Sequence, residues 1–268
     1  MKQNLLITAA DNNFIDQAKQ LFSCVYFNAG WDGDYMLLAQ EIPEKGLKWF
    51  RDKGILVKKC KPVSTYKFTR LPSTPLIKFY MFTDEFKKWN NIVYLDADVI
   101  VRASLNDLVK IKNFASVDNF IEPKLGNQIF ELKKTNRKSY YELEKRYNLN
   151  KKSFCSGVMA FNTKIIEEDT FYHLNRLLEK YYHGAFVDQA ILNLYFYGKW
   201  EKLPYVFDIQ LWSMLDHYHA DPKYIKGIVL HFTGENKAWL PENYFYKEWK
   251  YNLNKANQIN LNKQLPAK

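Results

Sequence analysis

Residues Asn91–Val101, NIVYLDADVIV, decide how the chain is read. Ile92, Val93, Tyr94 and Leu95 form a short apolar run, β-branched and aromatic in part, suited to a buried strand. The run meets two carboxylates, Asp96 and Asp98, on either side of Ala97, and resumes as Val99, Ile100 and Val101. Two carboxylates at the mouth of an apolar strand are costly unless a cation or a proton donor compensates them. A hard divalent ion does so through oxygen ligands, and Mg²⁺ or Mn²⁺ is commonly shared with substrate phosphates. A plainer arrangement satisfies the same residues, with Asp96 capping a turn and Asp98 facing solvent. The D-x-D pattern alone leaves both open.

Around that stretch the chain has the size and composition of an enzyme domain. Its 268 residues suffice to bury one large core, and no apolar run has the length that spans a bilayer. Lys2 to Ala10 carries too short an apolar run for a signal peptide and reads as a first strand. Cys24, Cys60 and Cys155 are too few and too dispersed for a disulfide framework or a zinc site, so the cytoplasm is the expected compartment. The net charge of +10 suits an anionic partner, which a nucleoside diphosphate, an anionic glycan, a membrane surface or nucleic acid would each provide. No helix-turn-helix, zinc-finger or glycine-arginine pattern supports nucleic acid. The aromatic residues are spread along the chain in core-like patterns.

Strand and helix patterns alternate upstream. Leu5–Ala10 reads as a strand, Asp11-Asn12-Asn13 as a turn, and Phe14 to Val25 as a helix. Asp34–Ala39 reads as a second strand, Leu47–Gly54 as a short helix, and Ile55–Val57 as a third strand with Lys58, Lys59 and Lys61 just outside it. Repeated β-α-β units predict an α/β fold, in which ligands lie beyond the carboxyl ends of strands. The glycine-rich fingerprint of dinucleotide folds and the phosphate loop are both absent. Asp11 is either a ligand to a nucleoside or only a turn residue.

Leu76 to Trp89 carries a loose helical stripe, with Lys78 one turn from its start. A lysine beside free helix-start amides is unfavourable without an anion nearby, which makes Lys78 either a phosphate contact or a side chain extended into water. Residues 109–152 are the hardest to read and suggest an acceptor-side insertion, with a strand at Phe114–Val117 and a helix at Tyr140–Tyr147. In Phe154–Asn162, FCSGVMAFN, Gly157 before an apolar strand allows close approach of a ligand to the backbone. Cys155 reads as a half-buried small residue rather than a nucleophile. Asp188 and Gln189 open an apolar helix, where a carboxylate is well placed electrostatically. Ile228–Leu230 reads as the last strand, ending in HFTGENKAW, so that His231, Gly234 and Lys237 share one loop. A neutral imidazole can ligate Mn²⁺, and Lys237 can reach an anion as a point charge.

These residues together resemble glycosyltransferase family 8, the family of glycogenin and of bacterial transferases that build surface glycans. LDADVIV is similar to the family's D-x-D strand end, CSGVMAFN to its N-S-G-V strand, FVDQAILN to its D-Q helix start, and HFTGENKAW to its H-F-x-G-x-x-K-x-W stretch. The four occur in family order, and the likeness runs from Lys2 to Trp249, weakest across the insertion.

The resemblance implies a single domain over residues 1–250 with the three-layer nucleotide-diphospho-sugar transferase (GT-A) fold and a mostly parallel sheet. It implies that Asp96, Asp98 and His231 hold Mn²⁺, with Mg²⁺ as the alternative, and that Lys78 and Lys237 contact the diphosphate. Thr8, Ala10 and Asp11 would lie against the uridine, with Ala97, Gly157 and Gly234 lining the donor site. Asp188 would bind hydroxyls of the transferred sugar and Gln189 would lie near its reactive carbon. The implied reaction moves a hexose, glucose or galactose first, from a UDP-sugar to a saccharide, lipid-linked or protein acceptor with retained anomeric configuration. Because an amide is a poor nucleophile, front-face attack is expected rather than a covalent intermediate, with Asp188 the reserve candidate.

Two departures stand out. Cys155 occupies the place of the family's asparagine, which opens the donor sugar to variation, and Ala238 stands after Lys237 where proline is common. Aromatic and basic residues interleave from Trp239 to Tyr251, a composition suited to peripheral membrane contact, and 251–268 reads as a polar, flexible tail. Related proteins are often dimers, so a homodimer fits the resemblance. The competing readings are a self-glycosylating primer protein of glycogenin type and a non-catalytic protein that binds anionic ligands or nucleic acid.

Overall fold

The computed structural model describes residues 2–63, 74–181 and 187–263. Phe186 of the FVDQAILN stretch lies outside them, as do residues 264–268 of the expected tail. The chain opens with β1 (Asn4–Ala10), α1 (Ile15–Asn28), β2 (Asp34–Ala39), α2 (Glu44–Asp52) and β3 (Leu56–Lys59). This is the β-α-β alternation expected from the sequence. Lys58 and Lys59 belong to β3 rather than to the loop beyond it, paired with Glu85 and Glu44 at an exposed edge.

Thr74–Phe82 and Asp84–Lys88 wind as 3-10 turns instead of the expected helix. They lead into β4 (Asn91–Leu95) and, past the carboxylate pair, β5 (Val99–Val101). The middle of the chain contributes β6 (Phe114–Asp118), the short helices α3 (Leu125–Gln128), α4 (Phe130–Thr135) and α5 (Arg137–Arg146), and β7 (Phe154–Asn162). β6 is a strand of the main sheet, so residues 114–118 of the stretch suspected as an insertion at 109–152 belong to the central sheet. α6 (Thr170–Tyr181), α7 (Val187–Tyr195), β8 (Trp200–Lys202), β9 (Ile209–Gln210), β10 (Val229–His231) and α8 (Tyr246–Lys255) complete the fold.

Among the described residues the main sheet has the order β3-β2-β1-β4-β7-β6-β8, and a smaller sheet has the order β5-β10-β9. β3, β2, β1 and β4 run parallel, β7 runs antiparallel to both β4 and β6, and β8 is parallel to β6. The sheet is therefore mostly parallel with one reversed strand. Both faces are covered, which explains why β1, β4 and β7 are buried almost throughout instead of alternating between buried and exposed. One face packs on the 3-10 segment and α3–α7 through Leu76, Phe79, Phe82, Leu174 and Ile191. The other packs on α1 and α2 through Leu21, Phe22, Leu47 and Phe50. The result is the three-layer GT-A fold.

Packing also accounts for the aromatic residues. Phe82 stacks on Phe161 with ring centroids 4.9 Å apart, and Phe114 on Phe196 at 4.0 Å. At the carboxyl end of the chain, Phe245 and Trp249 are buried against β5, β9 and β10, while Tyr244 and Tyr251 are exposed. The stretch expected as a flexible tail from residue 251 instead continues α8, and Leu261 donates its amide to the Lys53 carbonyl at 3.0 Å. Its buried residues Asn252, Ala256 and Ile259 fix it to the domain. Arg102 holds α8 from β5 through a two-point ion pair with Glu248.

Cys24, Cys60 and Cys155 are buried free thiols, and burial pushes each up to about 12. We expect none to react with a disulfide reagent at pH 8 in the native protein and all three to react in denaturant, measured by thiol titration. Rapid reaction of any of them in the folded protein would contradict this packing.

Candidate active site

The motifs singled out from sequence meet at the carboxyl ends of β1 and β4, as expected for ligands of α/β sheets. β4 delivers Asp96, whose amide donates to the Gly157 carbonyl at 2.8 Å. β10 pairs antiparallel with β5 so that His231 lies opposite Val99, beside Asp98. His231 is thus the last residue of a strand, not a member of the loop after it, and that register fixes its reach. Its Nε2 lies 3.4 Å from Asp98 Oδ1 and 3.9 Å from Asp96 Oδ2.

Charge compensation within this cluster is nearly complete. Lys237 Nζ donates to Asp98 Oδ2 at 2.7 Å and to the Phe232 carbonyl at 2.6 Å. Burial would raise the Asp98 pKa, but Lys237 and His231 outweigh it and hold that carboxyl far below the usual range. Burial disfavours charge on His231, yet Asp208 and Asp98 prevail and keep its pKa well above the ordinary value.

Lys78 does not extend into water. Its side chain is buried, and Nζ lies 2.7 Å from Asp188 Oδ2 and 3.0 Å from Asp96 Oδ1. Burial lowers its pKa, but the two carboxylates more than offset this and keep the ammonium charged. The anion that its position demanded is supplied, in the ligand-free chain, by the protein itself.

α7 brings Asp188 and Gln189 against β7. Ser156 Oγ donates to Asp188 Oδ2 at 2.8 Å, and the Ser156 amide donates to Gln189 Oε1 at 2.9 Å. Asn193, one turn on, accepts from the Phe154 amide at 2.9 Å and donates to the Phe154 carbonyl at 2.9 Å, which locks helix to strand. Gly157 lies within β7 rather than before it. A Cβ at that position would stand 2.1 Å from His231 Cε1, so glycine is needed to admit the imidazole.

A cleft of about 250 Å³ joins these groups, lined by Ala9, Asp11, Phe14, Thr74 and Pro75 at one end. Lys78, Tyr94, Asp96, Ala97, Asp98, Ser156, Asp188 and Gln189 line the rest, while Gly157, His231 and Lys237 do not line it. Asp11 accepts from the Thr74 hydroxyl at 2.8 Å and caps its own turn through the Asn13 amide. Thr8 and Ala10 are wholly buried and do not line the cleft, because alternation along β1 turns Ala9 toward it. Gly234 also stays outside: its positive φ of 82° turns the loop, and a Cβ there would strike Trp212. Cys155 faces His231 and Asp208, with Sγ 3.9 Å from Nδ1, and so is not positioned to read a sugar in the cleft. A larger hollow of about 630 Å³ between α5, α6 and α7 lies apart from the carboxylate pair and His231, so size does not mark this site.

Asp96, Asp98 and His231 each offer one ligand atom, and these atoms lie within 4.8 Å of one another. Two carboxylate oxygens and one imidazole nitrogen suit Mn²⁺, and Mg²⁺ less closely. Sequence reasoning missed Ser156, Tyr94, Thr74 and Asp208. Tyr94 donates its hydroxyl to Asp96 Oδ1 at 2.6 Å, yet in sequence it is one more strand aromatic. Ser156 lay inside a quoted motif without a role, because its function depends on contact with a distant helix.

Such a fold and site define a glycosyltransferase of the GT-A class. The sequence matches the model described as Glycosyl transferase family 8 over residues 10–243, and the chain belongs to that family. It is similar to Glycosyltransferase GlyB of Streptococcus pneumoniae serotype 4, with 24% identity over 289 residues, covering 99% of this chain and 65% of GlyB. Among solved structures it is similar to the galactosyltransferase LgtC in complex with donor and acceptor sugar analogs, with a TM-score of 0.67, 18% identity and 98% of each chain covered. It is also similar to the WbbM bifunctional glycosyltransferase in apo form, with a TM-score of 0.69, 19% identity, and 97% of this chain against 52% of WbbM covered. The chain thus spans about two thirds of GlyB and about half of WbbM. No helix among the described residues is long and apolar enough to cross a membrane.

The variant Gly157→Ala tests the packing behind the cation ligands. It should lower stability by about 1–3 kcal/mol through overpacking and weaken Mn²⁺ binding by displacing the imidazole. Denaturant unfolding and Mn²⁺ titration measure the two effects, and a variant unchanged in both would contradict the geometry.

Proposed function

We propose that this chain transfers a hexose from a UDP-sugar to an acceptor hydroxyl, with retention of anomeric configuration and dependence on a divalent cation, Mn²⁺ first. The observation that carries the reading is the meeting at one cleft of Asp96, Asp98, Lys78, Asp188 and Gln189, with His231 and Lys237 held against Asp98. When bound, the ion would be held by Asp96, Asp98 and His231 and would supply Lewis-acid stabilisation to the leaving diphosphate.

The chain's own groups do the remaining work. Lys78 and Lys237 are charged, preorganised donors whose present partners are carboxylates at the cleft. Donor phosphates offer them equivalent anionic acceptors, so both lysines stabilise charge that grows as the sugar–phosphate bond breaks. Ala9, Asp11 and Phe14 border the end of the cleft suited to the nucleoside. Asp188 has one oxygen engaged by Lys78 and Ser156, which leaves the other to accept sugar hydroxyls. A carboxylate so neutralised is a weak nucleophile, and Gln189, whose amide oxygen is bound by the Ser156 backbone, is weaker still. This supports front-face attack by the acceptor hydroxyl, its proton passing to the departing phosphate. Glucose and galactose are the first donors to consider. The buried Asp188–Lys78 pair and the cation ligands favour catalysis over passive anion binding, since a binding protein has no use for a neutralised carboxylate aimed at a sugar.

Release of UDP from a panel of UDP-sugars, with and without Mn²⁺, tests the proposal. We expect metal-dependent release from one donor and a fall of about 10²- to 10³-fold in Asp98→Asn, the scale of removing one preorganised electrostatic group. Metal-independent release, a product of inverted configuration, or a glycosyl adduct on Asp188 would contradict it.

A further inference from the structure

Behind His231, on the side away from the cleft, lies Asp208. Its side chain is fully buried, at 0% exposure, which is costly for a carboxylate that lacks a strong partner. No lysine or arginine is paired with it among the described residues. Its short contact is with His231, from Oδ1 to Nδ1 at 2.9 Å, and Gln210 Nε2 lies farther off at 3.5 Å from the other oxygen. The backbone explains how the two residues meet. β9 pairs parallel with β10 so that His231 stands opposite Gln210, and Asp208 enters immediately before β9. Gln210 is anchored in turn by donating to the Asp118 carbonyl at 2.9 Å and accepting from the Phe120 amide at 3.0 Å. Asp208 therefore stands on a rigid support.

An imidazole can present either nitrogen to a cation, and the hydrogen bond made by the other nitrogen decides which. We propose that Asp208 is a positioning residue for the cation site, accepting the Nδ1 proton of His231 and so fixing ring plane and tautomer with Nε2 toward Asp96 and Asp98. This inference rests on the cation reading of the site. Gly157 completes the slot, since a Cβ there would stand 2.1 Å from His231 Cε1 and displace the ring. Cys155, Asp208 and His231 also bring one ligand atom each within 4.8 Å of one another. In this set Asp208 makes the short contact to Nδ1, and Cys155 Sγ lies farther off at 3.9 Å.

Mn²⁺ affinity in the presence of UDP, measured by titration for the wild type, Asp208→Asn and Asp208→Ala, tests the proposal. Asp208→Asn keeps an oxygen that accepts from Nδ1 and should retain most of the affinity. Asp208→Ala should weaken Mn²⁺ by roughly 10- to 100-fold, the usual cost of losing an outer-shell partner, at a concentration of protein shown to be folded without metal. Equal affinity in Asp208→Ala and wild type overturns the positioning role while leaving the cation reading intact. No Mn²⁺ binding by the wild type overturns the cation reading and the inference with it. If Asp208→Ala does not fold, nitrogen NMR of the metal-free wild type decides, recorded at a pH where His231 has lost one of its two ring protons and with His231 assigned by His231→Asn. A proton on Nδ1 supports the proposal, and an unprotonated Nδ1 overturns it.

Discussion

Everything at this site depends on burying charge without leaving it unpaired. The carboxylates of Asp96, Asp98, Asp188 and Asp208 stand against Lys78, His231 and Lys237 in a space mostly closed to water. An isolated buried carboxylate costs several kcal/mol, and breaking one pair leaves its partner exposed to that cost. The strand register serves this requirement. β10 must run antiparallel to β5 and parallel to β9 for His231 to lie between Asp98 and Asp208, and α7 must dock on β7 for Asp188 to reach Lys78. Lys78, Lys237 and His231, whose pKa is held well above its ordinary value, offset three of the four carboxylate charges. A divalent cation and a diphosphate would add opposite charges of similar size to that balance.

Much of this was legible in the sequence, for reasons that differ from element to element. The strand before Asp96 is written in its β-branched run, and the β-α-β opening in its periodicity. Asp96, Asp98, Asp188, Gln189 and His231 were visible because each sits at or beside an element end, where a polar residue interrupts an apolar pattern, whereas Lys237 stands in the loop beyond β10. Asp208 was not visible. It is an acid in the short stretch Phe207-Asp208-Ile209, and its meaning comes only from β9 lying beside β10. Lys78 was noticed for its charge with both directions left open, since no pattern in a 3-10 segment says which side faces the core. Thr8 and Ala10 were drawn into the site by likeness to the family's first loop, whereas the alternation of β1 assigns Ala9 to the cleft.

Cys155 shows how a motif position can change meaning once the backbone is seen. Read in sequence, it replaces an asparagine and leaves the donor sugar open to variation. In the fold it backs His231, and Ser156, the next residue, makes the contacts to Asp188 and Gln189. Variation in donor choice is therefore better sought among Thr74, Pro75, Ser156 and Gln189, which line the cleft. The carboxyl-terminal aromatics divide in the same way: Phe245 and Trp249 belong to the core, Trp239 and Tyr246 are half-buried, and Tyr244 and Tyr251 are exposed.

The central claim is that side chains from β10 and the β4–β5 turn form one cation site. The most direct measurement is an anomalous difference map, recorded at the manganese edge, from crystals grown with Mn²⁺ and UDP. The account predicts a single strong peak within about 2.0–2.3 Å of Asp96, Asp98 and His231 Nε2. A peak elsewhere in the molecule, or none at the cluster in crystals whose cleft holds UDP, would contradict it.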